Sequence, residues 1–89
     1  MIVPVEVSRE NGERLWRLSK AVDEYGLDFE KPLSWEVGRP VEVTFPLPDG
    51  ERITAQGRVE GECAVKFTFL DDATKLSINR YVAERIASL

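Results

Sequence analysis

The strongest constraint on this chain is an alternation of apolar and polar residues with a period of two, which runs from the N-terminus to about residue 70. Val3, Val5 and Val7 alternate with Pro4 and Glu6, the pattern of a half-buried strand whose start or edge is marked by Pro4. Asn11-Gly12 is a turn signal. Trp16 and Leu18 then alternate with Leu15, Arg17 and Ser19, a second strand with Trp16 expected in the core. Tyr25, Leu27 and Phe29 form a third strand. Residues 31–40 read as a loop punctuated by Pro32, Gly38 and Pro40. Val41, Val43 and Phe45 make a fourth strand, and Pro48-Asp49-Gly50 a hairpin turn. Ile53, Ala55, Gly57 and Val59 form a fifth strand, ended by Gly61, with Gly57 marking a bend of the kind closed sheets need. Val65, Phe67 and Phe69 form the sixth.

The period changes at Asp71. Asp71 or Asp72 is suited to cap a helix, and an acid there meets the positive end of the helix dipole. Ile78, Val82, Ile86 and Leu89 share one stripe at helical spacing, with Tyr81 and Arg85 beside it, whereas Leu76 falls off it. Six short strands followed by a helix of about fourteen to eighteen residues predict an all-β fold. The expected form is an antiparallel barrel or sandwich with the helix over one opening or face. With 89 residues and no linker or repeat, residues 1–89 read as a single domain.

The totals narrow the chemistry. There is no histidine, which removes the commonest general base, Ser–His pairs and the usual zinc ligand sets. Cys63 is the single cysteine, so no intrachain disulfide forms, and its neighbours Ala64 and Val65 place it in or beside the core. Asp71-Asp72 is explained by capping, and Glu60 and Glu62 flank Gly61 in a solvated turn. The expectation is therefore a protein that is not an enzyme and has no bound metal. No apolar run is long enough to span a membrane, and the N-terminus lacks the features of a signal peptide, so the expected location is cytoplasmic. The net charge is −4, with residues 21–50 the acidic stretch. That balance disfavours nucleic-acid polymers, whose affinity comes mostly from Lys and Arg on phosphates. Basic side chains concentrate at Arg9, Arg14, Arg17 and Lys20.

The order of these pieces resembles the PilZ domain over essentially the whole chain. Gly26-Leu27-Asp28-Phe29, Leu33, Gly38-Arg39-Pro40-Val41-Glu42-Val43 and Phe45-Pro46-Leu47-Pro48-Asp49-Gly50 are similar to that family's middle. Gly57-Arg58-Val59 with Ala64-Val65-Lys66-Phe67 is similar to its later hairpin, and residues 78–85 to its closing helix. The resemblance implies a six-stranded antiparallel β-barrel with a C-terminal α-helix, and a bacterial signalling role. PilZ domains are best known as receptors for cyclic di-GMP. They use an R-x-x-x-R pair before the first barrel strand and [D/N]-x-S-x-x-G on a strand beside it. Guanidinium groups pair bidentately with phosphates and guanine edges, and short residues let the backbone approach the nucleotide.

This chain departs from both motifs. Ala21 stands where the Asp or Asn belongs, Asp23 where the Ser belongs, and Gly26 alone is kept. Met1 and Ile2, the two residues before Val3, hold no arginine pair. Asp23 would face a dianionic ligand, and two like charges about 4 Å apart at an effective dielectric of about 20 repel by about 4 kcal/mol. Arg14 and Arg17 lie three apart, so a regular strand points them to opposite faces. The leading expectation is a PilZ-like adaptor with cyclic di-GMP binding weak or lost. It would act on a protein partner, as the resemblance implies in motility or type IV pilus regulation, as a monomer or homodimer. Candidate contact residues are Trp35 in the 31–40 loop, Arg17 and Leu76. The alternative is a cyclic di-GMP receptor with a modified grip from Arg9, Arg14, Arg17 and Lys20 beside Asp23 and Gly26.

Overall fold

A computed structural model describes residues 2–47 and 50–87 of the chain, with side chains as far as residue 80. Six strands, β1 (Pro4–Arg9), β2 (Arg14–Val22), β3 (Gly26–Phe29), β4 (Pro40–Pro46), β5 (Arg52–Gly61) and β6 (Ala64–Phe69), precede one helix, α1 (Asp72–Ala87). The strands are antiparallel and close into a barrel in the order β1-β2-β3-β6-β5-β4, with β4 returning to β1. Both the all-β barrel and the single C-terminal helix expected from the sequence are therefore present.

Alternation decides most of the interior. Val3, Val5 and Val7 point inward, as do Val41, Val43 and Phe45 of β4 and Ile53, Ala55 and Val59 of β5. Phe45 stacks on Phe67, ring centroids 6.5 Å apart. Gly57, expected at a bend, sits at a register shift between β5 and β6. The Leu47 and Glu51 backbones are hydrogen-bonded across the fourth turn, where Gly50 has φ +92°, while Pro48 and Asp49 lie outside the described residues.

The second strand departs from expectation. Trp16, expected in the core, is 59% exposed, and Leu18 is 50% exposed. The cause lies in the β1–β2 turn. A two-residue Asn11-Gly12 loop would set Trp16 opposite Val7 and Leu18 opposite Val5, both facing inward. The loop is instead one residue longer. Arg9 N–H donates to the Glu13 carbonyl (2.8 Å), Gly12 N–H donates to the Arg9 carbonyl (3.0 Å), and Gly12 has φ +89°. This is the three-residue hairpin with a left-handed final residue. It pairs Val7 with Leu15 and Val5 with Arg17. Directly opposed residues share a face, and a shift of one residue inverts a whole strand. Leu15, Arg17 and Ser19 thus follow the valines inward. Ser19 is fully buried, and its hydroxyl accepts the Val3 N–H at 2.9 Å. A bulge between Ser19 and Ala21 then restores Val22 to the core.

Among the described residues, one buried aliphatic side chain enters from the segment over each end of the barrel. At the end formed by the β1–β2 turn and the β5–β6 turn, residues 30–39 cross over and insert Leu33, fully buried, with its N–H donating to the Glu62 carbonyl (2.8 Å). The breakers Pro32, Gly38 and Pro40 predict a loop here and carry no signal for the buried Leu33. At the other end α1 inserts Ile78, 1% exposed. Asp71 caps α1: its carboxylate accepts the Thr74 N–H at 2.7 Å. Tyr81, Val82, Arg85, Ile86 and Leu89, assigned to or beside the helix stripe, lie outside the described side chains. Tyr25 and Phe69, expected inward by alternation, are exposed: Tyr25 lies just before β3, and the register shift between Gln56 and Gly57 pairs Phe69 with the outward Gln56. No helix among the described residues is long and apolar enough to cross a membrane.

Candidate functional site

The β2–β3 hairpin holds the positions where the resemblance implies nucleotide contacts. Asp23 builds this turn. Its carboxylate accepts the N–H groups of Tyr25 (2.7 Å) and Gly26 (3.0 Å), and its own N–H donates to the Gly26 carbonyl (3.1 Å). A short acidic side chain that satisfies backbone donors ahead of it is ordinary turn chemistry. Gly26 is required for a different reason. A Cβ there would lie 2.1 Å from the Val65 carbonyl oxygen, so only glycine lets β3 approach β6. Neither residue therefore needs a ligand to explain it. Beside Asp23, a hydrogen bond and the charge of Glu24 hold the Tyr25 phenol above its ordinary pKa.

An open concavity of about 260 Å³ lies over the outer side of this hairpin. Its charged lining is Asp23, Asp28, Glu60 and Lys66, with Ala21 and Gly26 on its floor. Three carboxylates face one ammonium, which opposes a dianionic guest. Asp28, Glu60 and Lys66 are single outward residues on three strands, and the sequence did not group them. Alternation marks each as outward, but only the order β3-β6-β5 brings them together. Among the described residues no group of three His, Cys, Asp or Glu side chains could hold a metal ion.

The basic residues do not converge. Arg9 lies with its guanidinium 5.2 Å from the Trp35 ring centroid and 3.2 Å from the Glu13 carboxylate. Trp35, a candidate contact residue, is half-buried, packed against the core on one side and under Arg9 on the other. Arg17 is half-buried and donates to the carbonyls of Pro32 (3.0 Å) and Trp16 (2.9 Å), tying the crossing loop to β2. Arg14 is on the opposite face, exposed, with its guanidinium 3.8 Å from Glu6. Lys20 is exposed near the far end of β2, six residues and about 20 Å from Arg14 along the strand. Leu76, a candidate contact residue, is 65% exposed on α1. It points away because Ile78, two positions on, faces the barrel. Cys63 is half-buried in the β5–β6 turn, and its carbonyl accepts the Phe29 N–H at 2.7 Å.

Trp16 and Leu18 are exposed together on the outer face of β2, with Pro4 opposite Leu18 on β1 and exposed Ile2 just before that strand. Sequence periodicity missed this surface because both alternating sets of β2 contain apolar residues. The signal that could have revealed it is the length of the first turn. Comparison with family models, with curated proteins and with solved structures finds no match to this chain.

Proposed function

We propose that this chain is a non-enzymatic, PilZ-like adaptor barrel that acts through contacts with a protein partner and has lost effective cyclic di-GMP binding. The observation that carries the proposal is the acidic lining of the concavity over Ala21, Asp23 and Gly26. In a cyclic di-GMP receptor of this family, that stretch presents short polar residues to a nucleotide with two phosphates. Here Asp23, Asp28 and Glu60 outnumber Lys66. The cations that would have to compensate are used elsewhere: Arg9 covers Trp35, and Arg17 holds the Pro32 carbonyl. A role in bacterial motility or type IV pilus regulation follows from the resemblance and is part of this proposal, as is a cytoplasmic location.

The exposed apolar stripe of β2 supports the protein-contact part, since contiguous exposed apolar area on a small domain marks an interaction surface. Isothermal titration with cyclic di-GMP tests the nucleotide part. The expected result is no saturable heat at micromolar ligand. Saturable micromolar binding that is lost in Arg14→Ala or Lys20→Ala overturns it in favour of a receptor with a modified basic grip.

A further inference from the structure

The outward side of β2 carries Arg14, Trp16, Leu18 and Lys20 in one row. The apolar centre of the row extends onto β1 through Pro4, which pairs with Leu18, and through Ile2, which is 64% exposed. The core uses none of these side chains.

Three observations determine what fits this face. First, the barrel is closed. An extended partner cannot join the sheet as an added strand, and laid across an apolar face it would leave its own N–H and C=O groups unpaired. A helix arrives with its backbone bonds already made. Second, the apolar centre has a cation at each end. Arg14 and Lys20 stand about 20 Å apart, a span covered by about thirteen residues of helix. Arg14 is exposed and pairs with half-buried Glu6 at 3.8 Å, a long contact of the kind that is readily exchanged. Third, charge argues against the other occupants. A second copy stacked with β2 antiparallel would set Arg14 over Lys20, and both chains carry −4. An anionic membrane is a continuous negative surface that would also cover Glu6 inside the patch and Glu30 beside it, where its N–H donates to the Leu18 carbonyl, whereas a helix can set carboxylates at its two ends on Arg14 and Lys20 alone.

We propose that this face of β2 seats an amphipathic helix of a partner protein, with the helix's apolar ridge on Trp16 and Leu18 and its flanking carboxylates on Arg14 and Lys20. The inference rests on the adaptor reading and deepens it by naming the surface and the chemistry of the partner.

The direct test uses two synthetic helices of about fifteen residues with one identical apolar ridge, flanked by Glu in one peptide and by Lys in the other. Titrations follow Trp16 emission in a Trp35→Phe background, with zwitterionic and anionic phospholipid vesicles as further arms. The Glu-flanked helix is expected to bind in the micromolar range and shift Trp16 emission to the blue, with the Lys-flanked helix at least tenfold weaker. Leu18→Asp is expected to weaken binding at least tenfold, and Arg14→Glu with Lys20→Glu to reverse the preference. Equal binding of both helices, binding of neither, or a blue shift with anionic vesicles alone overturns the proposal. A photo-crosslinking side chain placed at position 16, 35 or 76 in native cells separates this failure from that of the adaptor reading. Protein adducts at 35 or 76 without any at 16 overturn the β2 face and leave the adaptor; no protein adduct at any position overturns both.

Discussion

Gly26 and Asp23 carry the same lesson at the scale of single residues: a position that matches a ligand motif can be fully occupied by the needs of the fold. At Gly26 the obstacle to any side chain is the Val65 carbonyl, and both groups are backbone, so rotamer changes cannot relieve the clash. Gly26→Ala must therefore move β3 away from β6. Overpacking of this kind costs about 1–3 kcal/mol. For a domain of this size that is a fall of roughly 5–20 °C in melting temperature, measurable by circular dichroism. Gly61→Ala is the control, since its added Cβ meets nothing within 4 Å, and it is expected to change stability by less than about 0.5 kcal/mol. Equal losses in the two variants would show that close approach is not what Gly26 provides. The need for glycine at 26 was legible as a resemblance to a motif, but its cause was not. The Val65 carbonyl is thirty-nine residues away in sequence and becomes a neighbour only through the β3–β6 pairing.

At the scale of elements, the helix start was readable because capping is local. Asp71 precedes the first turn, and its carboxylate takes the Thr74 side-chain and backbone hydrogen bonds, which lower its pKa from the ordinary value. A carboxyl whose pKa is depressed in the folded state adds stability at pH above its unfolded pKa, and that stability is lost as pH falls through the folded value. Asp71→Ala is thus expected to lower the melting temperature at pH 7. The gap between variant and parent is expected to narrow as pH drops below the usual carboxylate range. A gap that is constant with pH would mean that the charge of Asp71 is not what stabilises α1. The second strand is the counter-example, because its phase is not a local property. Trp16, Leu18, Leu15 and Ser19 satisfy period two whichever set faces inward. The Gly12 turn and the pairing of Val5 with Arg17 make the choice.

At the scale of the whole molecule, the barrel wall and its two plugs are separable. Leu33 belongs to the crossing loop, whose backbone is hydrogen-bonded to Glu62 and Val59, and closes that end of the barrel, whereas Ile78 is the one buried side chain among those described on α1. Removing a buried aliphatic side chain to alanine costs about 2–5 kcal/mol. Leu33→Ala is expected to lower the melting temperature of the whole barrel by about 10 °C or more. Ile78→Ala is expected to release α1 with a smaller effect on the wall, because the helix can undock without opening a strand pair. Amide exchange is the discriminating measurement: protection falls across residues 72–80 and persists in β1–β6. Loss of protection throughout the barrel in Ile78→Ala would show that helix and wall form one cooperative unit.

What the sequence determined by itself was everything carried by local periodicity and local turn chemistry. It specified six strands, one capped helix, the turn at Asn11-Gly12 and the inward valines of β1. The tertiary structure alone decided which way β2 faces, that Leu33 leaves its loop to plug the barrel, that Arg9 covers Trp35, and that Asp28, Glu60 and Lys66 share one surface. The first depends on the register that the Gly12 turn sets between β1 and β2, and the others on loop placement or strand order across more than a dozen residues. A period of two records that a strand has two faces and leaves open which one meets the core.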